Sequence, residues 1–130
     1  MNVKRLLKLA GAILGLSLIG SVMAQNNKTP FVRIAELEID PAKLESYEAA
    51  VREEIETSVR IEPGVLAIYA VAEKENSSRL KFFEMYIDES AYRAHIESAH
   101  FKKYAKITKE MIISRKLIDT VPIQLSAKGK

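Results

Sequence analysis

The sequence predicts one small α+β domain with the element order β-α-β-β-α-β, on three observations. Two apolar stretches, residues 65–74 and 79–87, flank Glu75-Asn76-Ser77-Ser78, the pattern of an antiparallel hairpin. Leu44, Tyr47, Val51, Ile55 and Val59 recur at helical spacing and mark a helix with one buried face. A second helical stretch and a last apolar strand follow the hairpin.

The first 24 residues are set apart from this domain. Lys4, Arg5 and Lys8 make a basic start, residues 9–20 an apolar run, and Val22 and Ala24 stand at the −3 and −1 positions of a signal-peptidase site. The uncharged run over residues 9–24 is shorter than the ~20 residues a spanning helix needs. The expectation is cleavage near Ala24, no stable membrane anchor, and a periplasmic or secreted product. With no cysteine in the chain, neither a lipid anchor nor a disulfide is available.

Removing the leader changes the charge. The chain has 20 Lys+Arg against 17 Asp+Glu, and three of those bases precede Ala24. The remainder is formally neutral, so the pI near 9.1 belongs to the leader and nucleic-acid binding is excluded.

The mature chain then divides into a polar lead-in over residues 25–30, a domain over 31–125 and a basic tail over 126–130, expected to be disordered. Residues 31–39 read as the first strand. Asp40 supplies an N-cap and Pro41 the first helical position of the helix behind it. Glu53, Glu54, Glu56 and Arg60 lie off its apolar stripe and read as a solvated face, and Pro63-Gly64 ends it. In the second strand, Val65, Ala67, Tyr69 and Val71 alternate with Leu66, Ile68, Ala70 and Ala72. In the third, Leu80, Phe82, Glu84 and Tyr86 alternate with Phe83, Met85 and Ile87. Asp88 caps a helical region expected from Glu89 to about Ile113, and the last strand is expected over residues 117–123. This order is the split βαβ pattern of ferredoxin-like domains. Both faces of the sheet are largely apolar while the helices suffice for one, which points to a face-to-face homodimer.

Several stretches resemble the antibiotic biosynthesis monooxygenase domain, which includes small quinol monooxygenases. The similarity is carried by EPGVLAIYAV (62–71) and FEMYIDESAYRAHIESAHF (83–101), with Pro63-Gly64, Glu84, Tyr86, Asp88, Ala91, His95 and Ser98-Ala99-His100-Phe101 at the family's offsets. The resemblance implies a ferredoxin-like sandwich that forms a dimeric α/β barrel, and a cofactor-independent monooxygenation of a quinol-like or polyphenolic small molecule by O2. It also implies a break near Ser98. The family often has tryptophan where this chain has Tyr86, which suggests a more polar pocket. Haem-degrading relatives take an asparagine from the first strand and a histidine near the position of Ala105. Residues 31–39 contain no asparagine, so haem is disfavoured.

His95 and His100 are the only histidines. On a regular helix, five steps leave them about 140° apart, and without a metal-ligand spacing no metal is expected. His95 reads either as a histidine bonded within the core or, through the resemblance, as the base, since its ordinary pKa of about 6.5 suits that task. His100 reads as a cap or brace of the junction, or as a pocket residue. With the family in view, Glu84 and Tyr86 are expected to position the substrate and Tyr69, Tyr92, His100 and Phe101 to border it. The alternative is a non-oxidative use of the same dimer, as a small-molecule-binding module or an isomerase.

Overall fold

The computed structural model describes residues 29–129; the leader read over residues 1–24 lies outside the described residues. The elements run β1 (Phe31–Ile39), a short 3-10 turn (Pro41–Lys43), α1 (Leu44–Ile61), β2 (Val65–Glu73), β3 (Asn76–Tyr86), α2 (Glu89–Glu97), α3 (Ala99–Thr108) and β4 (Ile112–Asp119). The four strands form one antiparallel sheet in the order β2-β3-β1-β4, and the helices cover one face. This is the ferredoxin-like α+β fold. No helix among the described residues is long and apolar enough to cross a membrane.

The covered face holds the core. Ala35, Leu37 and Ile39 of β1 and Leu80 and Phe82 of β3 pack beneath Tyr47 and Val51 of α1 and Tyr104 of α3. Each aliphatic or Phe side chain buried in this way contributes about 1.5–3 kcal/mol. A second cluster, Val65, Ile68 and Tyr86, lies toward α2 with Phe31, Ala91 and Tyr92 against it.

The helical region from Glu89 is two helices, with the break that the resemblance implied, because Ser98 adopts extended backbone (φ −65°, ψ 151°), ends α2 by donating its N–H to His95 O, and caps α3 by accepting from Phe101 N. Three other sequence expectations change. The last strand comes five residues earlier than expected. Pairing with β1 sets its register, with Ile39 opposite Ile112 and Arg33 opposite Asp119, and an edge strand tolerates the polar run Ser114-Arg115-Lys116.

The faces of β2 do not alternate evenly either. Leu66 is an extra residue, since Val65 pairs with Tyr86 and Ala67 with Met85, so Val65 and Ile68 point to the same side. On α1 the buried stripe is Tyr47, Val51, Glu54 and Ser58, while Val59 is half exposed. Glu54 is not on the solvated face. It is 6% exposed, and hydrogen bonding to Ser58 makes that burial tolerable.

Gly64 explains the Pro-Gly at the start of β2. A Cβ at this position would lie 2.5 Å from the Cβ of Ala91, so the missing side chain lets α2 approach the sheet. The Gly64 carbonyl also accepts from Ile87 N at 2.9 Å, fixing the end of β3 where α2 begins.

Candidate active site

Five elements meet between the sheet and the helices. α1 supplies Glu54 and its C-terminal cap residue Glu62; α2 supplies Tyr92 and His95; α3 supplies His100 and Phe101; β1 and β3 supply Arg33 and Glu84. His95 is 2% exposed. Its Nδ1 lies 2.9 Å from Glu62 Oε1, and the same oxygen lies 2.5 Å from His100 Nε2. Burial works to raise the pKa of Glu62, but the hydrogen bonds from the two imidazoles outweigh it and hold the carboxyl below its usual range. An ionised carboxylate only accepts hydrogen bonds, so Nδ1 of His95 is the donor. In neutral His95 this leaves Nε2 bare, facing Glu54 Oε1 at 3.5 Å. That is the arrangement a base requires.

Around His95 the walls are aromatic. Phe101 stands edge-on at 4.9 Å between centroids, Tyr86 lies at 5.4 Å, and Tyr92 stacks on Phe31 at 5.1 Å. A cavity of about 80 Å³ lies beside the imidazole, lined by His95, Glu54, Glu84, Tyr92, Phe101 and Arg33 among others, with Arg115 and Leu117 of β4 also in its wall. Arg33 lies 4.2 Å from the Tyr92 ring centroid, donates to the Tyr92 hydroxyl and pairs with Asp119 at 2.5 Å, while its buried Nε has no partner. Two acids face this space in an unusual state. Burial pushes Glu84 and Glu54 above the ordinary carboxylate range, against the hydrogen bonds from Tyr86 and Ser58 that favour the ionised forms.

The residues singled out from the sequence therefore separate. His95, Glu84, Tyr92 and Phe101 line one cavity. Tyr86 is wholly buried; it does not line the cavity, but its hydroxyl donates to Glu84 at 2.9 Å. His100 reaches the site through Glu62 instead of through the cavity wall. Tyr69 is 65% exposed and lies apart from the cluster, because the bulge at Leu66 pairs it with Phe83 on the uncovered face of the sheet.

Sequence reasoning did not single out Glu54, Glu62 and Arg33. Glu54 falls three residues after Val51 and seven after Tyr47, a periodicity that marks it as inward despite its charge. Glu62 carried no comparable signal, since its partners are more than thirty residues away. The break at Ser98 also lets Glu54, His95 and His100 bring one donor atom each within 4.8 Å of one another, a group the continuous helix would forbid. Two of those side chains are engaged with Glu62 in this arrangement.

A family profile described as antibiotic biosynthesis monooxygenase matches residues 30–107. A crystal structure from Bacteriodes thetaiotaomicron VPI-5482, provisionally named for the same family, is 46% identical with a TM-score of 0.75, covering 80% of this chain and 99% of that one. One from Lactobacillus acidophilus NCFM, provisionally named a monooxygenase, is 29% identical with a TM-score of 0.68, covering 69% of this chain and 43% of that one. A third, from Nitrosomonas europaea, shares the fold at 22% identity and a TM-score of 0.71, covering 77% of this chain and 96% of that one. No curated protein matches the sequence. The β-α-β-β-α-β fold, the profile match and the 46% identity agree: this chain belongs to the antibiotic biosynthesis monooxygenase family.

Proposed function

We propose that the protein is an exported, cofactor-independent monooxygenase that oxidises a quinol-like aromatic with O2 and works as a homodimer. The observation that carries the chemistry is the buried His95, held at Nδ1 by Glu62 with Nε2 left bare among aromatic walls. Such a base takes the phenolic proton, and the resulting phenolate is electron-rich enough to pass an electron to O2. Recombination at a ring carbon and loss of water completes the reaction: a hydroquinone and one O2 give a hydroxyquinone and one water. The substrate supplies all the electrons, and the protein supplies a base and a dry pocket.

The cavity limits the substrate. At about 80 Å³ it is smaller than the apolar cavity of about 150 Å³ known to hold benzene. A single ring is therefore the upper limit, and even that requires the cavity walls to move apart. Glu84, whose carboxyl burial pushes above the ordinary range, lines the cavity where its protonated form would donate to a substrate oxygen.

The homodimer is supported by the uncovered sheet face. Ile34, Phe83 and Met85 are only half-buried there, and Tyr69 and Val71 are 65% and 61% exposed. Export is supported by the leader sequence, and the expected mature protein begins near Gln25 in the periplasm or medium. A full-length chain in the membrane pellet would overturn it.

The test of activity is oxygen uptake by the mature protein with a series of reduced single-ring quinones. Uptake that falls at least about a hundredfold in His95→Ala supports the reading. Undiminished uptake in that variant removes the mechanism. Conversion of substrate without oxygen uptake favours the isomerase alternative.

A further inference from the structure

The five-residue spacing of His95 and His100 argues against a shared metal on one helix, and the break at Ser98 removes that objection. Glu54, His95 and His100 bring one donor atom each within 4.8 Å of one another, and Glu54 Oε1 is already 3.5 Å from His95 Nε2. Ligand atoms about 2.0–2.1 Å from a tetrahedral zinc are about 3.4 Å apart. The edge between Glu54 and His95 is therefore at bonding size, and each other edge has at most about 1.4 Å to close.

The triad also carries the supporting bonds that hold metal ligands in place. Glu62 accepts the Nδ1 hydrogen of His95 at 2.9 Å, the carboxylate partner that fixes an imidazole with Nε2 toward an ion. Ser58 Oγ stands 2.7 Å from Glu54 Oε1 as its donor. Glu54 and His100 line a shallow cleft between α1 and α3, and the His100 side chain is 16% exposed, so the triad has a solvent-facing side apart from the substrate cavity.

We propose that Glu54, His95 and His100 bind a divalent ion of the zinc class, and that this ion switches off the base by occupying Nε2 of His95. Two imidazole nitrogens and one carboxylate oxygen select zinc over magnesium or calcium, which take oxygen ligands. Three protein ligands leave one tetrahedral position for water, the composition of an open site. The 2.5 Å contact of His100 Nε2 with Glu62 competes with the ion for that imidazole, so binding is weaker than at a closed four-ligand site. The switch rests on the reading of His95 as base; the metal site does not.

The site is tested without turnover, on protein stripped by a chelator and titrated with Zn2+ alone. Calorimetry should show one equivalent bound with a Kd below about 100 μM, and Mg2+ should not bind. Glu54→Gln and His100→Gln should each weaken zinc at least about tenfold. Zinc should raise the Tm of the wild type and raise that of the variants less. In 15N-labelled wild type the His95 Nε2 resonance should shift on saturation, which decides the matter if either variant fails to fold. No binding, wild-type affinity in both variants, or an unmoved His95 resonance overturns the site.

Oxygen uptake tests the switch. Uptake should fall in step with zinc occupancy, and Glu54→Gln should need at least about tenfold more zinc for the same fractional loss. Full uptake from a saturated site overturns the switch. A site that fills in a protein with no oxygen uptake keeps the metal site and removes the oxidation, and the switch with it.

Discussion

Glu62 and His95 are joined by a 2.9 Å hydrogen bond between residues 33 positions apart, one at the C-terminal cap of α1 and the other in the last turn of α2. The bond fixes which ring nitrogen faces the cavity, and it ties two helices whose direct contacts are otherwise few.

Replacing Glu62 with alanine leaves the Nδ1 donor of a buried imidazole without its acceptor. The expected cost is about 1–3 kcal/mol of stability, with loss of activity as the imidazole becomes free to change tautomer. The pKa of Glu62 is lowered in the folded protein, so its contribution is present above the ordinary carboxylate range and is lost as pH falls through the folded value. Urea melts from pH 7 down to 3 should therefore show a shallower acid-side loss in Glu62→Ala than in the wild type. Parallel curves would show that the pair contributes nothing to acid stability.

Gly64→Ala tests the close approach of α2. The new methyl would meet the Ala91 Cβ at 2.5 Å, and two small side chains offer no flexible end that can give way. An overpacking cost of about 1–3 kcal/mol is expected, together with displacement of α2 and therefore of His95. Thermal unfolding measures the first effect, and the His95 imidazole resonances report the second. A variant with wild-type Tm would mean that α2 sits less tightly than the backbone indicates.

Glu84 presents the opposite pH dependence. Its pKa is raised by burial, so the folded state binds a proton more tightly than the unfolded chain does, and its penalty grows as pH rises from the ordinary carboxylate value through the folded one. Glu84→Gln removes that penalty. The variant should gain stability over the wild type at pH 8, by a few degrees at about 4–8 °C per kcal/mol, and little at pH 4. It should also turn over more slowly wherever the acid donates to substrate. A variant less stable than the wild type at pH 8 would show that the carboxylate is well satisfied by Tyr86.

Met85→Arg places one charge from each subunit in the proposed dimer interface. Monomer or aggregate is expected by light scattering, with the cavity residues unaltered, since Met85 lies on the sheet face away from the helices. Wild-type protein that scatters as a monomer at micromolar concentration would rule out the dimer.

What the sequence determined by itself was local. The alternation of Leu80, Phe82 and Tyr86, the stripe of Tyr47 and Val51, and the caps at Asp40 and Asp88 each depend on neighbours within a few residues, and so they could be read directly. The fixed offsets around His95 were legible for the same reason. Tertiary structure decided what depends on partners distant in the chain. Glu54 is inward because His95 and Ser58 receive it there, and Tyr69 is exposed because one extra residue, Leu66, shifts the register of β2 against β3. β4 begins at Ile112 because β1 sets its register. His95 and His100 converge, despite a spacing that would set them apart on one helix, because Ser98 breaks that helix and Glu62 arrives from a third element to bind both. A carboxylate's charge marks it as polar in sequence, but only the groups folded around it determine whether it faces water or a base.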